Sequence, residues 1–211
     1  MHALVVSPEN ETLASKDASV DAPANATTPL FVLPIAEEFQ KHPLVFVRLE
    51  LRTKTGELVA DNFYWVAQKP EDNRALEKLA PASLSSVVNA AADVGVDGAR
   101  EKVWGVHLHN TGSDAAIALK LTLLHADGTR ILPAYYSDNY ISLLPGEERT
   151  IKIQAPVDAA GAGNARVTLR AWNLPEQEVR QDAGTFVSRS TSGGGNAPPP
   201  GNVIDRRAHV R

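Results

Sequence analysis

Residues 44–51 alternate strictly, with Val45, Val47, Leu49 and Leu51 on one side of the chain and Phe46, Arg48, Glu50 and Arg52 on the other. Successive side chains of an extended strand point to opposite faces, so a period of two is the pattern of a half-buried β-strand. The same period returns further on. Trp104, Val106 and Leu108 alternate with His107 and His109; Leu119, Leu121 and Leu123 share one face, and Ile151 with Ile153, then Val167, Leu169 and Ala171, continue the pattern. No stretch sustains a helical period over these segments, which argues against an α/β fold and for an all-β one.

Turn-forming residues punctuate the strands. Ser7-Pro8-Glu9-Asn10, Thr53-Lys54-Thr55-Gly56, Asn110 through Asp114 and Ala126-Asp127-Gly128 each separate two apolar runs, as hairpin turns do. Strands are expected at 2–6, 12–20, 44–51 and 58–66 in the first half, with a short apolar run at 30–33 ending at Pro34. The second half reads as about seven strands with regularly spaced turns, the pattern of an immunoglobulin-like sandwich. The chain therefore divides into a first β-domain at 1–67, a linker at 68–82, a second, immunoglobulin-like sandwich at 83–176 and a flexible tail at 177–211. Within the linker, Pro70 and Pro81 confine a short helix at 71–79 to about two turns. The tail includes 188–201, rich in Gly, Ser and Pro with nothing to bury, and is expected to be disordered. An internal similarity supports two related domains. Strand, Gly turn, strand, then Asp61-Asn62-Phe63-Tyr64 in the first half is matched by strand, Gly turn, strand, then Asp138-Asn139-Tyr140 in the second.

Composition excludes several function classes. Twenty-one Lys and Arg against 25 Asp and Glu give a net charge of -4, so neither nucleic acid nor an anionic membrane is an expected partner. With no cysteine there is no disulfide framework and no thiolate metal site. The apolar run at 3–6 is too short for a signal peptide or a membrane span, and localisation stays open.

The densest chemistry lies at 130–153. Tyr135, Tyr136, Asp138, Asn139 and Tyr140 combine flat rings with short hydrogen-bonding side chains, the combination that holds a pyranose by its apolar face and its hydroxyls. The competing reading is a bulged strand edge whose tyrosines cover the sandwich end while Asp138 and Asn139 cap a turn. His107 and His109 project from one strand face about 6 to 7 Å apart, but no third or fourth ligand has matching spacing, so they read as solvated or interdomain and no metal or other cofactor is expected. Asp61-Asn62-Phe63-Tyr64-Trp65 is similar in chemistry but precedes the linker, where its aromatics Phe63, Tyr64 and Trp65 are expected to pack the first domain and the domain junction. Glu147 and Glu148 are adjacent on a strand and face opposite ways, so they cannot flank one bond. No catalytic residue is assigned.

Four stretches resemble the C-terminal region of glycoside hydrolase family 2, in its exo-β-D-glucosaminidase and β-mannosidase branch. They are 46–52 (FVRLELR), 61–65 (DNFYW), 132–140 (LPAYYSDNY) and 143–149 (LLPGEER), and the resemblance runs from the N-terminus to Leu174. It implies immunoglobulin-like domains that follow a (β/α)₈ catalytic barrel of a retaining glycosidase. Such a barrel needs about 250 residues, and its two catalytic glutamates map to no position here. The resemblance thus implies a non-catalytic region, inactive alone, whose partner is a catalytic barrel on the same or a neighbouring polypeptide, with amino-sugar or mannose-containing glycans as ligands and the 135–140 loop walling the sugar pocket. It also implies that two strands of the first sandwich lie upstream of His2, which leaves 1–67 an incomplete immunoglobulin-like sandwich, as in a truncated or split reading frame or a fragment. A free-standing immunoglobulin-like carbohydrate-binding or adhesion module is the alternative.

Overall fold

The computed structural model describes residues 1–21, 23–90, 92–96, 99–161 and 165–185. The fold is all-β. The first unit holds β1 (His2–Val6), β2 (Thr12–Asp17), the helical turn α1 (Ile35–Glu38), β3 (Leu44–Arg52) and β4 (Leu58–Ala67). A 3₁₀ helix (Pro70–Lys78) leads to the second unit, which begins with β5 (Leu84–Ala90), β6 (Ala92–Val96), β7 (Ala99–Asn110) and β8 (Ala116–Leu124). It continues with β9 (Tyr135–Tyr136), β10 (Ile141–Leu143), β11 (Glu148–Pro156), the turn α2 (Val157–Ala160), β12 (Arg166–Ala171), β13 (Leu174–Glu178) and β14 (Arg180–Thr185).

The second unit is an immunoglobulin-like sandwich. One sheet runs β10-β8-β12-β13; the other runs β14-β5-β7-β11-β9, with β6 also paired to β7. The alternating residues fill the space between them: Trp104, Val106 and Leu108 from β7, Leu119, Leu121 and Leu123 from β8, Ile151 and Ile153 from β11, Val167 and Leu169 from β12. On β8 the phase slips at Ala118, which takes a left-handed φ of 52° and donates its N–H to the Ser142 hydroxyl at 3.1 Å. The slip is a bulge. It sends Leu119 into the sandwich core while Ile117 joins a separate apolar cluster outside it.

The first unit is one antiparallel sheet, β2-β1-β3-β4, without a second sheet among the described residues. Its central strand is not half-buried as the alternation suggested. Leu44, Val45 and Phe46 are all fully buried, because both faces of the sheet are covered at the start of β3. Leu33, Ile35 and Phe39 from the segment that connects β2 to β3 lie against Val45 and Val47. Leu44 and Phe46 face the other way, onto Ile117, Ala115 and Leu144 of the second unit.

The apolar run at 30–33 is irregular, and Leu33 packs from it against the sheet face. The segment at 68–82 carries a short helix close to the one expected, as a 3₁₀ helix. This helix is closed at the start by Asp72, whose carboxylate accepts the Lys69 N–H at 3.0 Å, and it buries Leu76 in the cluster between the two units. Residues 177–185, expected in the flexible tail, continue β13 and form β14, which pairs in parallel with β5 while Val179 is buried in the core. Beyond Leu174 this part of the sheet is held by backbone pairing, by Val179 and by polar contacts such as the Gln181 amide to the Ala165 carbonyl, so hydrophobic alternation does not reveal it. Residues 186–211, the rest of the expected tail, lie outside the described residues.

Candidate functional site

The 135–140 loop sits at the edge of the sandwich, where β9 pairs with the end of β11 through Tyr136↔Ile153 and Tyr135↔Gln154. Its side chains divide into two groups. β10 pairs with β8 no further than Leu119, which leaves the outer backbone groups of Leu121 and Leu123 without a strand partner. Asn139 supplies one: its Oδ1 accepts the Leu121 N–H at 2.9 Å and its Nδ2 donates to the Leu121 carbonyl at 3.1 Å. Tyr136 supplies the other, its hydroxyl accepting the Leu123 N–H at 2.9 Å while its ring packs on the core. Burial pushes the Tyr136 phenol above its ordinary value despite the opposing hydrogen bond from Leu123 and charge of Arg130. Tyr136→Phe is expected to cost about 1 kcal/mol, from the stranded Leu123 N–H, read as a shift of the urea unfolding midpoint.

The remaining three face solvent. Tyr135 and Tyr140 are each 60% exposed. Tyr140 has a left-handed φ of 58°, and the Lys120 ammonium lies 5.5 Å from its ring centroid. Asp138 caps the turn by accepting the Asn139 N–H at 2.8 Å, and its charge adds to the hydrogen bond and charge of Asp61, which do most to raise the pKa of Arg149 against burial.

That arginine belongs to the best-connected polar cluster, one that sequence reasoning missed. Arg48, 5% exposed, extends from β3 across the boundary between the units. Its Nε and Nη2 grip both carboxylate oxygens of Glu147, the Nε contact at 3.0 Å. Nη2 also donates to the Ser142 carbonyl at 3.0 Å, and Nη1 to Asp61 Oδ2 at 2.9 Å. Asp61 in turn accepts both Nη groups of Arg149. Glu147 closes its own turn by accepting the Leu144 N–H at 2.8 Å, across a Pro145-Gly146 corner where Gly146 has a φ of 78°. Two cations meet two anions, and every carboxylate oxygen of the pair has a guanidinium donor, so the cluster is built to hold two units together and offers no proton for acid–base work.

The charge state of Asp61 follows from opposed effects. Burial pushes its carboxyl up, but the hydrogen bond and charge of Arg149, with the charges of Arg48 and Arg52, outweigh burial and hold it below the usual carboxylate value. A depressed folded-state pKa means the carboxylate contributes stability that is complete above its unfolded pKa and is lost as pH falls through the folded value. The urea midpoint is expected to be flat above about pH 5 and to fall below about pH 4, with a shallower fall in Asp61→Asn.

A cleft of about 390 Å³ opens beside the cluster, lined by Arg48, Glu50, Arg52, His107 and Glu148 among others. His107 lies 3.3 Å from the Thr150 hydroxyl and 3.5 Å from Glu148. Among the described residues no group of three or more His, Asp or Glu is arranged to hold a metal. From the Asp61–Trp65 motif, Phe63 packs at the junction as expected, Asp61 serves the ion cluster, and Tyr64 and Trp65 stay about half exposed at 48% and 44%.

A family model described as the exo-beta-D-glucosaminidase Ig-fold domain matches residues 62–174, more than half of the chain. The chain belongs to this family. A second model, the mannosidase Ig/CBM-like domain, matches residues 5–69. The chain thus joins two Ig-like domains of the glycoside hydrolase family 2 exo-glucosaminidase and mannosidase branch. Arg48 belongs to the mannosidase-type domain, while Glu147 and Arg149 belong to the exo-beta-D-glucosaminidase Ig-fold domain.

Among curated proteins, an exo-beta-D-glucosaminidase of Streptomyces avermitilis is 29% identical over 63% of the chain and 16% of its own length. A mannosylglycoprotein endo-beta-mannosidase of Lilium longiflorum is 28% identical over 71% of the chain and 22% of its own length. Among solved structures, the exo-chitosanase CsxA of Amycolatopsis orientalis superposes with a TM-score of 0.65 at 20% identity, over 85% of this chain and 23% of that one. The chain spans about a quarter or less of the length of each of these relatives.

Proposed function

We propose that this chain is the non-catalytic C-terminal arm of a family 2 glycosidase, docking its two Ig-like units against a catalytic barrel on the same or a neighbouring polypeptide. The observation that carries this reading is the coverage: up to 85% of the chain finds counterparts in large glycosidases, yet it corresponds to no more than 23% of any of the three described. The arm acts by shape. An ion cluster and an apolar cluster fix its two units, so a surface presented on one is held at a set angle to the other. In this reading the solvent-facing members of the 135–140 loop, Tyr135, Asp138 and Tyr140, contribute to the rim of the barrel's sugar pocket, while Tyr136 and Asn139 hold the loop's shape.

Co-expression with a barrel-bearing polypeptide of the same branch tests this. The expected result is co-purification and a rise in hydrolysis of a chromogenic β-glucosaminide over the barrel polypeptide alone. Failure of the two to associate, or turnover by this chain by itself, overturns the proposal.

A further inference from the structure

Away from the ion cluster and the 135–140 loop, the β12–β13 hairpin presents one more aromatic surface. Its tip is Trp172-Asn173. Asn173 is pinned on three sides: Nδ2 donates to the Ala80 carbonyl at 2.8 Å and the Ala115 carbonyl at 2.9 Å, and Oδ1 accepts the Ile117 N–H at 3.2 Å. The Trp172 N–H donates to the Ile117 carbonyl at 2.8 Å, and its indole Nε1 donates to the Leu76 carbonyl at 3.0 Å. Backbone and ring plane are therefore both fixed. Yet Trp172 is 59% exposed, the only tryptophan above half.

The ring forms one wall of a cleft of about 550 Å³, whose floor and sides include Leu76, Leu79, Pro81 and Leu174. That volume falls within the roughly 300–1,000 Å³ of small-molecule sites. Three charged residues line it, Glu77, Glu176 and Arg170. Among the described residues neither Glu77 nor Glu176 forms an ion pair, so the cleft carries two free carboxylates against one guanidinium.

We infer that this cleft is a carbohydrate platform for a β-linked amino-sugar oligomer, with Trp172 as the stacking surface and Glu77 and Glu176 as acceptors for the protonated amines. The C–H face of a pyranose is apolar and packs flat on an indole. An ammonium group is drawn both to carboxylates and to the face of a tryptophan ring. A ring held in place before binding loses little freedom when the ligand arrives, which favours affinity over an unrestrained side chain. The excess of acid selects a cationic sugar over a neutral or anionic one. This inference deepens the glycosidase reading and rests on it only for the choice of ligand, because the binding is a property of this chain without a barrel.

Calorimetric titration of the full chain with a fully deacetylated glucosamine tetramer, with the N-acetylated tetramer as comparison, tests the inference. Saturable binding that favours the deacetylated form is expected, with the Trp172 indole NMR signal, assigned by its loss in Trp172→Phe, shifting while those of Trp65 and Trp104 stay. Trp172→Ala is expected to weaken binding about tenfold or more, and Trp172→Phe to retain most of it. Glu77→Gln with Glu176→Gln is expected to erase the preference for the deacetylated tetramer. If Trp172→Ala does not fold, the Glu pair and the indole signal decide. Absence of binding, unchanged affinity in a folded Trp172→Ala, a preference that survives the Glu pair, or a Trp172 signal that moves only on addition of a barrel-bearing polypeptide overturns the inference; the last assigns the cleft to a protein partner. Failure of the co-purification experiment leaves this titration unaffected, so the two readings fail separately.

Discussion

Arg48→Met is expected to lower the free energy of unfolding by about 3 kcal/mol. The side chain it removes is the shared donor to Glu147, Asp61 and the Ser142 carbonyl, and its guanidinium also lies 5.4 Å from the Phe63 ring centroid. Methionine restores bulk but leaves Glu147 facing the junction without its cation. The carboxylates are 27% and 17% exposed, so water relieves part of that burden and the effect belongs at the low end for a broken buried pair. The cost arises from the charge left behind, not from the missing methylenes. Asp61 keeps Arg149 as its partner, so the stranded charge is Glu147, and adding Glu147→Gln to Arg48→Met is therefore expected to recover part of the loss. Urea unfolding of the single and double variants decides: a loss below about 1 kcal/mol in Arg48→Met would place the cluster with ordinary surface ion pairs, and a double variant weaker than the single would show that packing dominates.

Which of these features could be read from the sequence follows from what alternation measures. It reports where apolar side chains go, so β7, β8, β11 and β12 and their core residues were legible, and so was the all-β class. It says nothing about which partner covers a face. β3 alternates perfectly and is nevertheless buried on both sides from Leu44 to Arg48, with Arg48 placed among core residues; an arginine flanked by Val47 and Leu49 is the available signal for a paired buried charge. The Glu147-Glu148-Arg149 run shows no partner in the sequence, because Arg48 lies 99 residues from Glu147 and Asp61 lies 88 from Arg149 along the chain. The bulge at Ala118 carries no glycine to mark it. Tyr136 and Asn139 share the chemistry of sugar contacts, and only the geometry showed that their polar atoms complete the hydrogen bonding of β8.

Phe46→Ala is expected to have the largest effect, a loss of about 4 kcal/mol, with an unequal distribution that reveals how the units depend on each other. Phe46 is fully buried, its ring centroid 5.5 Å from that of Phe63, in a cluster shared by β3, the 3₁₀ helix through Leu76 and the second unit through Ile117 and Leu144. The sandwich has its own core and does not use this residue. The first unit is a single sheet that depends on the sandwich to cover the face carrying Leu44 and Phe46. Removing the ring therefore weakens the sheet and its docking far more than the sandwich. Amide hydrogen exchange of Phe46→Ala is expected to show β3 and β4 losing protection while β7 and β11 retain it, whereas Leu108→Ala, in the sandwich core, lowers protection in both units because the sheet loses its cover as the sandwich opens. Equal loss in β3 and β7 for Phe46→Ala would mean that the two units unfold as one body, and the apolar cluster would then be part of a common core.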